Sequence, residues 1–167
     1  MRIVERLEAP VDRRTRLAVA AVAVVVVIAF VWCVAALGSR STAVADADAR
    51  TDLADQAPVA VATVFTVHAA TWRSDRAAAR GHLAEPLATT LAPALASGAP
   101  DGVATVEWAP LTTAVVDVDG DTGSVLLTVR VTVTPASGTP STARKAVHAD
   151  FSRVAGQWRL SGLDDLS

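Results

Sequence analysis

The stretch SVLLTVRVTVT, residues 124–134, decides the class of this fold. Val125, Leu127, Val129, Val131 and Val133 alternate with Ser124, Thr128, Arg130, Thr132 and Thr134, and Leu126 is the one apolar residue out of step. A period of two with β-branched residues on one side is the pattern of a strand with one buried and one solvated face. Just before it, Asp119, Gly120, Asp121, Thr122 and Gly123 form a turn cluster, rich in residues that bond their own backbone or accept positive φ. Residues 103–108 and 112–119 read as two earlier strands separated by Pro110. Residues 135–140 read as a loop, residues 143–154 as a further strand, and Ala155 and Gly156 as a tight hairpin into residues 157–163.

Upstream of Gly102 the period is helical. Val61, Val64, Phe65, His68, Ala69 and Trp72 recur at i, i+3, i+4, i+7, i+8 and i+11, the pattern of one amphipathic helix that becomes polar at Arg73, Asp75, Arg76 and Arg80 and stops at Gly81. Pro58 suits the first turn of that helix and breaks any helix running into it. Pro86 opens a short helix carrying Leu87 and Leu91, and Pro93 kinks or restarts it before Leu95. Two or three helices followed by four or five strands predict an α+β domain, with helices on one face of a curved antiparallel sheet.

Residues 17–37 carry no charge, and as a helix at ~1.5 Å per residue they span about 30 Å of hydrocarbon. Residues 1–16 hold five arginines against three acids, while residues 38–167 hold ten bases against fourteen acids. The positive-inside rule therefore predicts a cytoplasmic tail at 1–16, a transmembrane helix at 17–37, an Ala/Asp-rich stalk at 38–57 and an extracytoplasmic domain at 58–167. The expected location is the cytoplasmic membrane, crossed once. The competing reading is a secretory signal cleaved at Ala43, Val44 and Ala45, against which the apolar run is longer than a signal core of about 7 to 15 residues. Cys33 is the single cysteine, so no intrachain disulfide forms. With a net charge of -2 and an acidic outer part, nucleic acid is not an expected partner.

The string Phe151, Ser152, Arg153, Val154, Ala155, Gly156, Gln157, Trp158, Arg159, Leu160, followed by Leu163, Asp164 and Asp165, is similar to the closing hairpin of nuclear transport factor 2-like domains. Its wording most resembles Mce-associated membrane proteins of actinobacteria, and fourteen arginines beside one lysine suit a GC-rich genome. The resemblance implies a cone-shaped outer domain and a non-catalytic accessory role in an Mce-type lipid or sterol import complex. Gly156 and Trp158 are read as structural, Gly156 for the turn and Trp158 as cover for the end of the sheet.

Two alternatives belong to other classes. An isomerase-like or ligand-binding domain would use the cone, with His68, Trp72, Glu107 and Trp108 as the candidate lining residues. A structural subunit of a conjugation or secretion channel could carry the same fold. His82, after Gly81, is expected to be exposed, and His148 and Asp150 form an outward pair on one strand. Three histidines without fixed spacing to cysteines or paired carboxylates predict no metal site. The absence of Gly-x-Ser-x-Gly, a Walker glycine loop or HExxH leaves no support for a hydrolase or a nucleotide cofactor.

Overall fold

A computed structural model of the chain describes residues 44–166. The transmembrane helix expected at 17–37, Cys33 and the flanking arginines lie outside the described residues. Among those described, no helix is long and apolar enough to cross a membrane.

Helix α1 covers residues 44–65. Strand β1 (Val67–His68), helix α2 (Trp72–Gly81) and helix α3 (Leu87–Leu95) follow, then β2 (Val103–Asp119), β3 (Thr122–Pro135), β4 (Ser141–Val154) and β5 (Gln157–Asp165). The five strands form one antiparallel sheet in sequence order. Three helices pack on one face of this curved sheet, which is the predicted α+β class.

The deciding stretch folds as its alternation requires. Val125, Leu127 and Val129 are buried in the core, while Leu126, the residue out of step, is left exposed on the opposite face. The turn cluster joins β2 to β3, with Gly120 at φ +56°. Ala155 and Gly156 both take positive φ, +52° and +81°, as a two-residue hairpin matched to the strand twist demands.

Pro58 does not interrupt α1. Leu53, Ala57, Ala60, Val61 and Val64 form one stripe at helical spacing and are all essentially inaccessible to solvent. A proline inside a helix costs about 3 kcal/mol, whereas burying each Val or Leu stabilises by roughly 1.5–3 kcal/mol, so the stripe prevails. The stalk reading of 38–57 is accordingly corrected over its second part: Ala49, Leu53 and Ala57 belong to the core cluster.

The single amphipathic helix expected from Val61 to Trp72 is instead broken. Thr66 ends α1, its hydroxyl accepting the Trp108 N–H at 3.1 Å, and Val67 and His68 pair with Val106 and Thr105 of β2. A β-branched run, with Thr66 and Val67 inside the helical pattern, finds more backbone hydrogen bonds on a sheet edge than in another helical turn. Strands 103–108 and 112–119 are likewise one strand, β2, whose register shifts between Pro110 and Thr112 and again between Val115 and Asp117. Among the described residues, this side of β2 has no neighbouring strand beyond the two residues of β1, so Pro110 withholds no ladder hydrogen bond there. Pro93 sits within α3 without ending it.

Candidate functional site

Helix α1 is tied to the closing hairpin of β4 and β5. Gln56 Oε1 accepts the Trp158 N–H at 3.0 Å, and the Arg153 guanidinium donates to Asp52 at 3.1 Å while lying 5.6 Å from the Trp158 ring centre. Trp158, 1% exposed, is the largest fully buried side chain among the described residues and closes the core beside Phe151 and Leu160. Gly156 takes positive φ in the hairpin turn, and Trp158 lies in the core. A surface hollow lies here, lined by Asp55, Gln56, Val59, His82, Gln157 and Arg159 among others, and Trp158 Nε1 and Arg159 Nε are buried without a hydrogen-bond partner among the described residues.

The four residues proposed to line the cone do not meet in one cavity. Trp108 faces inward and stacks on Phe65, ring centres 4.6 Å apart, so the pair occupies the space between α1 and the sheet. Glu107, the next residue along the strand, is exposed on the other face. Trp72 packs against Gly98, where a Cβ would sit 3.5 Å from the indole, and carries Arg73 over its ring. His68 is separated from Trp72 by the turn between β1 and α2 and borders a hollow formed with Ala62, Thr63, Thr66, Asp75 and Ala78.

His68 is nonetheless well placed electrostatically. Asp75 Oδ2 accepts both the His68 backbone N–H at 2.8 Å and a contact from the ring Nδ1 at 3.0 Å, and the Thr71 hydroxyl lies 3.2 Å away. Partial burial pushes the Asp75 carboxyl upward, but these hydrogen bonds outweigh it and hold the group below its ordinary value. The arrangement pins β1 to the first turn of α2, where a carboxylate also meets the helix dipole favourably. It explains the histidine as a positioned structural group.

His148 and Asp150 lie on the outer sheet face as the alternation predicts, 3.9 Å apart between Nδ1 and Oδ1. The structure adds Asp164, the direct cross-strand partner of His148, which the spacing in sequence does not reveal.

The fold and the placement of its polar groups define a small α+β domain whose described core is occupied by its own side chains. No protein-family profile matches the sequence, and no curated protein does. Among solved structures, the chain is similar to an IcmL-like type IV secretion system protein from Legionella pneumophila at a TM-score of 0.56 and 12% identity, covering 70% of this chain and 91% of that one. It is also similar to CagV, a VirB8 homologue of the type IV secretion system of Helicobacter pylori, at a TM-score of 0.55 and 13% identity, covering 71% and 99%. An ntf2-like protein with a cystatin-like fold from Novosphingobium aromaticivorans aligns at 0.48 and 18% identity, over 77% and 86%. At these identities the first two likenesses establish a shared fold.

Proposed function

We propose that this chain is a non-catalytic, single-pass membrane subunit that works through protein contacts in a secretion or conjugation channel. Residues 17–37 would hold it in the cytoplasmic membrane, with residues 1–16 inside and the α+β domain outside. The observation that carries the proposal is the fold shared over nearly the full length of two type IV secretion proteins, 91% and 99% of their chains. The packing supports it: Phe65, Trp108, Phe151 and Trp158 occupy the space between helices and sheet, which favours a role for the surface over chemistry in a cone.

The hairpin from Phe151 to Asp165 favours a second reading, an accessory subunit of an Mce-type lipid import complex, and the solved structures add nothing to it. Deleting the gene and measuring both DNA or protein export and lipid uptake separates the two. Lost export with normal lipid uptake is expected. Normal export with reduced lipid uptake and depleted Mce proteins would replace the channel reading by the Mce reading.

A further inference from the structure

We infer that His148, Asp150 and Asp164 form a binding site for a divalent transition-metal ion on the outer face of the sheet. Each residue offers one ligand atom, and the three atoms lie within 4.8 Å of one another. Around a Zn²⁺ ion, ligands at about 2.1 Å in tetrahedral array are separated by about 3.4 Å. The 3.9 Å between His148 Nδ1 and Asp150 Oδ1 therefore closes by a small side-chain rotation.

The juxtaposition depends on a β-bulge. The hairpin starts with Val154 opposite Gln157. Continued without interruption, that register would set His148 against Leu163 and turn Asp164 toward the core face. The register shift between Asp150 and Phe151 moves the pairing by one residue, so that Leu163 packs on the core and Asp164 stands beside His148. Bulges re-aim side chains in this way. The residue opposite Asp150 is Gly162, where a Cβ would lie only 2.9 Å from Asp150 Oδ2 and 3.3 Å from its Cβ. The missing side chain is the space the Asp150 carboxylate occupies.

Two carboxylates and one imidazole at this distance, two of them on one rigid strand, suit a borderline ion such as Zn²⁺, Co²⁺ or Ni²⁺ better than the all-oxygen shell of Ca²⁺ or Mg²⁺. Lys145 is engaged with Asp165, the neighbour of Asp164. Within the cluster, the imidazole is the only group able to carry positive charge against the two acids. Three protein ligands leave the outer positions to water or to a partner's side chain.

The test is cobalt(II) titration of the full-length, tag-free chain in detergent after chelator treatment, followed by visible absorption. One ion per chain is expected, with affinity reduced at least about tenfold in H148A and D164N, and unchanged in H68A and H82A. G162A, which alters no ligand, should weaken binding by crowding Asp150. In the unmodified chain, paramagnetic broadening should reach the His148 ring resonances and spare those of His82, which keeps the test independent of any variant's folding. Binding undiminished in H148A, an equal loss in H82A, or unbroadened His148 resonances would overturn the site.

Discussion

Gln56 accepts a hydrogen bond from the backbone N–H of Trp158, 102 residues further along the chain. Together with Asp52 and Arg153 it ties the middle of α1 to the closing hairpin, which makes the segment before Pro58 part of the folded domain. Leu53, one turn away and fully buried, is expected to lose about 2–5 kcal/mol of stability on change to Ala. Replacing Gln56 by Ala leaves the Trp158 N–H without its acceptor, at about 1–3 kcal/mol. Denaturant unfolding of the full-length chain checks both, and an unaffected midpoint in L53A would return this segment to a free stalk.

Gly123 faces Leu53 from the start of β3. A Cβ there would stand 2.6 Å from Leu53 Cδ2 and 3.3 Å from the Asp117 carbonyl oxygen. Because Leu53 is enclosed on all sides it cannot swing away, and G123A is expected to destabilise by about 1–3 kcal/mol. Shortening Leu53 to Ala in the same chain should make the two losses less than additive. Full additivity in thermal unfolding would show that the two positions do not touch.

Ala155 holds positive φ, +52°, at the hairpin position where Asn is the favoured companion of a following Gly. A155N should therefore stabilise the chain by about 0.5–1 kcal/mol. A lowered melting temperature in A155N would mean the hairpin takes another turn.

Asp75 has its pKa held below the ordinary carboxylate value by His68 and Thr71. A lowered folded-state pKa gives stability that is present above the unfolded value and is lost as pH falls through the folded one, so the loss lies below about pH 4. D75N should be less stable than the unmodified chain at neutral pH by about 1 kcal/mol, a modest figure because the carboxyl is about one-fifth exposed. The gap should narrow on acidification below about pH 4. A constant gap across pH, measured by thermal unfolding, would place the effect elsewhere.

Much of the sheet is legible in sequence because alternation and turn chemistry are local signals. Val125 to Val133, the cluster at Gly120 and the pair Ala155 and Gly156 each declare themselves within a few residues. The course of α1 through Pro58 is not local: it depends on Leu53, Ala57 and Val61 sharing a core with strand residues from Val125 onward, more than sixty residues later. The break at Thr66 depends on an acceptor for the Trp108 N–H, and so on the register of β2. The approach of Asp164 to His148 is least legible of all, since a bulge reverses which of Leu163 and Asp164 faces inward. Trp72 does not join His68 because the helical period breaks at Thr66, where the backbone hydrogen bonds go to the sheet, and Glu107 does not because strand alternation turns it to the face opposite Trp108.

As the proposed membrane-held channel subunit, the chain would act through its outer domain. Crosslinking in intact cells, followed by purification from native membranes and identification of the attached proteins, tests it most directly. An unprocessed chain is expected in the membrane fraction, crosslinked through the outer domain to other components of a secretion or conjugation channel. A soluble chain beginning near Asp46, or one crosslinked to Mce-domain proteins and their permeases, would contradict it.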